Sequence, residues 1–415
     1  MPSTTLDLRR CLQHYADAFH LAVGTGHHVC SPLGAWLVVA LAAPAADDAE
    51  REQLAEVLGA DVESAAQVAA ELLSEPHPLV AAAAAAWRRA DVDTHALKRW
   101  LAGLPTVVET GDLPDQAALD AWAARHTEGL IEEFPVEIDP DTVLVLASAL
   151  ATRISWGEPF EIAPAAELGA DSEWTQRLRQ VLRTPSDARH HQFIATTERA
   201  GDVAVHAAAD TERRLWVASV IAAPDVAVAD VLAAAERLAP DLLEYPQPGR
   251  ISLFDLPLGD GPAWTMTERA ASTTARSGRE ERYTSVLPAW SAQSKHDLTR
   301  SVELGFPAAA AALAKAMTLG RHRHVAKQAA MARYTRVGFE AAAVTAVVME
   351  RSAASAPRPG LRRDALLRFA HPYAVVAVTA DEPGRRPTAV ESRWHGLPVF
   401  SAWITEPDDA SDGQS

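Results

Sequence analysis

The sequence predicts an α+β fold in a single domain. Three observations carry that expectation. The first third reads as helical, with apolar residues at spacings of three and four. Strand-like apolar runs then dominate to the C-terminus. No βαβ alternation, internal repeat or clean linker divides the 415 residues.

Composition narrows the function classes. Apolar residues make up 48% of the chain and charged residues 22%, ordinary for a globular protein with a substantial core. The net charge of −17 argues against a nucleic-acid partner, because phosphate neutralisation needs a basic face. Two cysteines, Cys11 and Cys30, are too few for a disulfide framework. Reduced, partly buried thiols are expected, with a single Cys11–Cys30 bridge left open. Met1 to Arg10 lacks the apolar stretch of a signal peptide. No apolar run reaches the roughly 18 residues of a membrane span. The expected location is the cytoplasm, the alternative being export by a non-standard route.

The elements follow in order. Leu8, Cys11, Leu12, Tyr15, Phe19 and Ala22 line one face of a first helix. Ser31-Pro32 supplies an N-cap and a first-turn proline for a second, buried helix through Leu33, Trp36, Leu37, Val39 and Leu41. A third covers 47–58, acidic at its start and closed by Gly59, and a fourth spans 62–73. Leu79 to Trp87 is a short apolar run, 97–101 reads as helix and Thr106 to Glu109 as strand. Residues 116–126 place Leu119, Trp122 and Ala123 on one helical face. Val143 to Leu146 run without alternation, as in a strand covered on both faces. Further strands are expected at 215–221, 251–256, 373–378 and 399–404, and a helix at 226–238. Residues 406–415 read as a disordered acidic tail.

Catalytic and metal motifs are weak or absent. There is no Gly-x-Ser-x-Gly, no Walker loop and no zinc-spaced cysteine set. Gly24-Thr25-Gly26 reads as a turn. His190-His191 and His322-x-His324 read as surface histidines, since no Cys, Asp or Glu set completes a site. No enzyme activity, cofactor or metal is expected.

One segment stands out. Gly338-Phe339-Glu340-Ala341-Ala342-Ala343-Val344-Thr345 is a run of small residues, followed from Glu350 to Gly360 by loop-forming ones. Such a segment suits both an exposed loop and a strand in a sheet. Its neighbours resemble those of the serpins, the serine-protease-inhibitor family. Ser31-Pro32-Leu33 resembles the family's Ser-Pro at its second helix, and Leu119-x-x-Trp122-x-x-x-x-Thr127-x-Gly129-x-Ile131 its tryptophan signature. Val143 to Ala149 with Arg153-x-x-Trp156 and Pro159-Phe160 is similar to the central strand and its sequel. Leu287-Pro288, Asp297-Leu298, Leu304-Gly305-Phe306, Phe369-x-His371-Pro372-Tyr373 and Pro398-Val399-Phe400 fit later motifs in order. Gly338 to Thr345 then resembles the serpin hinge.

The resemblance implies one domain over 7–405, with N-terminal helices, a large mixed central sheet, smaller sheets and an exposed reactive-centre loop at about 336–368. It implies a monomeric suicide-substrate inhibitor of a trypsin-like or subtilisin-like serine protease, with neither nucleic acid nor membrane as partner. Cleavage would let the loop enter the main sheet as a new strand. Counting from the hinge places the cut between Ser352 and Ala353, whereas side-chain preference favours Arg351–Ser352, where a basic residue suits a trypsin-like pocket. The alternative is a non-inhibitory binding or storage protein that is only cleaved. The chain departs from the family pattern in ways that favour it. Phe339 stands where Thr or Ser is usual, and forcing so large a side chain into a closed sheet costs about 1–3 kcal/mol. Arg336 and Ala289 replace a Glu–Lys pair, and the loop is longer than usual. The residues matching the sheet-opening region are Ser31, Gly34, Ser148, Gln328 and, after the central strand, Trp156.

Overall fold

The computed structural model describes residues 7–186, 189–244, 247–319, 323–339, 358–381 and 392–410. They form two compact units, each assembled from three stretches of chain. Because neither unit is continuous in sequence, no linker marks them.

The first unit holds 1–152, 292–331 and 379–401. Its centre is the helix Pro32–Ala42, where every residue but Val38 is buried. An apolar helix of this kind needs neighbours all round. Ser31 caps it, the Oγ accepting from Gly34 N–H at 3.2 Å. Buried indoles tie other segments to it: Trp36 Nε1 donates to Leu58 O at 3.2 Å and Trp100 Nε1 to Leu41 O at 3.0 Å. The helices Leu8–Val23, Asp48–Leu58, Val62–Ser74 and Gln116–His126 lie where the periodicity places them. Gly59 ends the third at φ +70°, where a Cβ would also meet Cys11 Sγ at 3.0 Å. A three-stranded sheet has Ala81–Arg88 in the middle, antiparallel to Leu144–Ala151 and parallel to Glu109–Asp112. The strand expected at Thr106 thus starts at Glu109, behind a turn closed by Val108 N–H to Pro105 O. Trp87 and Trp122 meet edge to face at 5.2 Å over this sheet, with Phe134 beside them.

The second unit holds 153–291, 332–378 and 402–415. An antiparallel run of strands places Gly201–Ala209 between Leu215–Ile221 and His191–Thr197, with Arg250–Ile251 outside. The expected strand at 251–256 stops after Ile251, because Ser252 accepts from Phe254 N–H and turns the chain into a 3₁₀ helix. A six-stranded sheet contains Arg358–Arg368 as an inner strand. That strand runs antiparallel to Trp264–Thr273 and parallel to Arg279–Leu287.

Two expectations are corrected here. The loop expected at 336–368 is strand at both described ends: Gly338–Phe339 is a buried two-residue strand, and Arg358–Arg368 pairs on both sides. Pro359-Gly360 and the arginines gave 358–368 the look of a loop. Their carbon stems and charges are instead absorbed by partners. Arg363 donates to Leu253 O, Leu256 O and Glu268, and its guanidinium lies over the Phe254 ring. The tail also differs, since 406–410 is anchored. The Asp409 carboxylate accepts from the backbone N–H of Arg179 and Gln180, and Asp408 bridges to Ala289.

Trypsin at limiting amounts should therefore leave Arg362 and Arg363 uncut, their side chains being only 12% and 14% exposed. N-terminal sequencing of native digests tests this. Fragments beginning at Arg363 or Asp364 would show that the strand frays.

Candidate functional site: the hinge and its seat

The described start of the segment expected to act as a hinge lies in the second unit, behind a four-residue turn. The chain ends one strand at Tyr334, turns through Thr335, Arg336, Val337 and Gly338, and pairs Phe339 back against Tyr334. Gly338 and Phe339 also pair with Ser155 and Ile154 on the other side. The two residues are thus already an inner strand. Four consecutive carbonyls hold the turn. Thr335 O accepts from Trp156 Nε1 at 2.9 Å and Arg336 O from Phe160 N–H at 3.0 Å. Val337 O accepts from Trp156 N–H at 2.9 Å. Gly338 O accepts from Thr335 N–H and its hydroxyl at 2.9 and 3.1 Å.

Phe339 is 3% exposed. Its ring meets Trp290 edge to face at 6.2 Å, and Trp290 stacks on Tyr334 at 6.0 Å. Trp156 closes on Tyr334 from another side at 4.9 Å. The overpacking expected from Phe339 is not what the structure shows: an aromatic seat already receives the ring.

Behind this seat lies a pair of imidazoles. His190 Nε2 faces Glu158 O at 2.9 Å, so it carries the proton. His190 Nδ1 then accepts from His206 Nε2 at 3.0 Å. His206 is wholly buried against Phe160, and its Nδ1 has no partner among the described residues. Burial first, and the neighbouring His190 second, push the His206 imidazole well below its ordinary value of 6.5. Burial likewise lowers His190. His190 and His191 are half-buried rather than surface residues, a correction to the sequence reading. The doublet sits at the start of an inner strand, so its apolar neighbours come from elsewhere in the chain. His322 falls outside the described residues, and His324 Nε2 donates to Thr299 O at 2.8 Å.

In the first unit, the other residues expected in a sheet-opening region come together. The Gln328 carboxamide grips the Ser31 backbone twice, accepting its N–H at 2.9 Å and donating to its carbonyl at 2.8 Å. Ser31 Oγ donates to Val399 O at 2.8 Å while accepting from Gly34 N–H. Ser148 Oγ donates to Gly34 O at 2.7 Å. A Cβ on Gly34 would meet Ser31 Oγ at 3.2 Å and Leu150 Cδ1 at 3.3 Å, which explains the glycine. This small network is complete with two serines, a glutamine and backbone.

The other residues expected at the hinge, Glu340 to Thr345, and at the bait bond, Arg351, Ser352 and Ala353, lie outside the described residues. Ala289 is buried and Arg336 half-buried. Cys11 and Cys30 are both buried, and no disulfide joins them. The first unit also brings together His20, His28 and Cys30, the two histidines belonging to no motif of the sequence. The available signal was position: a histidine in a helix's last turn, a glycine turn, then two residues on one face of a strand.

Comparison with solved structures decides the fold. A native thermophilic serpin, tengpin, superposes with a TM-score of 0.63 at 13% identity, covering 98% of this chain and 96% of that one. The chain has the serpin fold. Residues 14–168 match the family model described as Serpin (serine protease inhibitor). Serpin48 of the insect Tenebrio molitor has a TM-score of 0.60 at 13% identity, with 97% and 98% of the two chains covered. Thyroxine-binding globulin complexed with thyroxine has 0.59 at 12%, with 97% and 100% covered. No curated protein sequence matches this chain significantly. Serpins with such different described roles share this fold, so the role rests on the chain's own residues.

Phe339→Ala should cost about 3–5 kcal/mol, the range for emptying a fully buried aromatic site. Urea unfolding of the purified variant measures it, and a loss under about 1 kcal/mol would mean that the seat collapses or is not formed. Acid should also weaken the second unit. The buried His206 stays neutral in the folded state, whereas the unfolded chain protonates near pH 6.5. Stability is full above that pH and falls below it, by up to about 1.4 kcal/mol per pH unit until the folded imidazole titrates. Unfolding curves from pH 7.5 to 5 should show a shallower loss in His206→Phe than in the wild type.

Proposed function

We propose that this serpin-fold chain inhibits a serine protease as a suicide substrate, with Arg351–Ser352 as bait. The protease serine attacks the Arg351 carbonyl, the Ser352 amine leaves, and an acyl ester joins Arg351 to the enzyme. The freed hinge then adds to the sheet as a strand, carrying the ester away from the conditions that hydrolyse it.

The observation that carries this reading is the strand Gly338–Phe339. Strand addition there does not begin from nothing, because Gly338 and Phe339 already pair with Ser155 and Ile154, and the bulky Phe339 also pairs with Tyr334 and is seated. Next in sequence come Glu340, then Ala341, Ala342, Ala343, Val344 and Thr345. Small side chains fit between packed strands without overlap. The residues matched by resemblance to the family's sheet-opening region, Ser31, Gly34, Ser148 and Gln328, also form one hydrogen-bonded network. The second reading, a binding protein that is merely cleaved, draws on Ala289 and Arg336, which cannot form the family's ion pair at the hinge.

Incubation with trypsin, subtilisin and their relatives, followed by denaturing electrophoresis, tests both readings. Inhibition gives a covalent complex whose release requires ester hydrolysis, and Arg351→Ala abolishes it for trypsin-like enzymes. Clean cleavage with no complex at any enzyme ratio would establish the second reading. A rise in melting temperature after cleavage reports insertion separately from trapping.

A further inference from the structure

His20, His28 and Cys30 lie in the first unit, away in sequence from the hinge. One donor atom from each falls within 4.8 Å of the others. All three are buried, at 5%, 4% and 0% exposure. His20 lies in the last turn of the helix Leu8–Val23, and His28 and Cys30 share a face of the strand His28–Cys30. We propose that this group is a transition-metal site of the zinc class, with two imidazoles and one thiolate as protein ligands.

Hydrogen bonding already orients the donors. His28 Nδ1 lies 2.9 Å from Gly26 O, and a carbonyl only accepts, so the proton sits on Nδ1. The lone pair of His28 Nε2 then faces His20 Nδ1 at 3.1 Å. An imidazole backed by a carbonyl is the arrangement metal-bound histidines adopt. His20 Nε2 lies 2.9 Å from Ser401 Oγ, and Cys30 Sγ 3.5 Å from the same hydroxyl. Ser401 therefore stands behind two of the three ligands.

The proton balance closes. Without metal, Ser401 O–H donates to His20 Nε2, and His20 Nδ1–H donates to His28 Nε2. With metal on His20 Nδ1, His28 Nε2 and Cys30 Sγ, the His20 proton moves to Nε2 and is accepted by Ser401 Oγ. The Ser401 proton then faces the Cys30 thiolate. One proton, that of the thiol, goes to solvent. Every ring N–H has an acceptor in both states. Tetrahedral bonds of ~2.0–2.3 Å place donors on the order of 3.3–3.6 Å apart, so the facing imidazole nitrogens need to part only by tenths of an ångström. Two nitrogens and a sulfur suit Zn²⁺ over Mg²⁺ or Ca²⁺, which take oxygen ligands. Water completes the fourth position. Entry is short, because the turn Gly24-Thr25-Gly26 beside His28 is exposed.

The test uses the tag-free full chain, stripped with chelator. Titration with Zn²⁺ should give one ion per chain and a melting temperature that rises with zinc. Co²⁺ should produce a thiolate-to-cobalt charge-transfer band. Cys30→Ser should abolish the band, and His28→Gln should weaken binding about tenfold or more. The exposed His14→Ala should change neither. If Cys30→Ser fails to fold, Cys11→Ser decides, since Cys30 is then the only thiol of a chain with two cysteines. A band in Cys11→Ser supports the site. Its absence there, or zinc retained at full affinity by folded Cys30→Ser, overturns it.

Discussion

The backbone carbonyls of Thr335 to Gly338 set the constraint on which the strand Gly338–Phe339 and its seat depend. Each accepts a hydrogen bond, two of them from Trp156. A turn with all its carbonyls satisfied has little freedom to choose another register. That register decides which side chain faces inward, and it is Phe339. The aromatic packing of Trp290, Tyr334 and Trp156 follows from the turn.

Legibility in the sequence tracked how local the determining interaction is. Ser31 and Gly59 act within one helical turn, so the cap and the stop are visible in the chain as written. Leu215–Ile221 is apolar on both faces and reads directly as a strand. By contrast, Trp264–Thr273 carries Thr267, Glu268, Arg269 and Ala270 exposed in succession, so nothing announces a strand until its partner is present. Arg358–Arg368 hides its pattern of Ala365 and Leu367 behind arginines that find carbonyls and carboxylates across the sheet. The Ser31–Gln328 clasp joins residues 297 apart. Only the family resemblance pointed to it. The seat of Phe339 had no signal at all, because a hole of the right size is a property of several side chains together.

The two histidine groups illustrate opposite uses of burial. His206 is enclosed by rings, and its remaining nitrogen has no partner among the described residues, so a proton there is costly. His20 and His28 are enclosed with a hydroxyl and a carbonyl as backing, which aims the His28 Nε2 lone pair inward and holds the His20 ring facing it. The same residue type is thus an acid-sensitive weak point in one place and a preorganised donor in the other.

The inner position of Arg358–Arg368 has a consequence for a nicked molecule. Ladders on both flanks, ten register positions with Trp264–Thr273 and eight with Arg279–Leu287, hold it independently of the peptide bonds that precede it. The close approach of Gly360 to Gly278 O, where a Cβ would sit at 2.4 Å, locks its first residues. Breaking the chain upstream therefore does not free the C-terminal piece. The two fragments co-migrate as one particle on native sizing and part company only when the sheet itself is denatured.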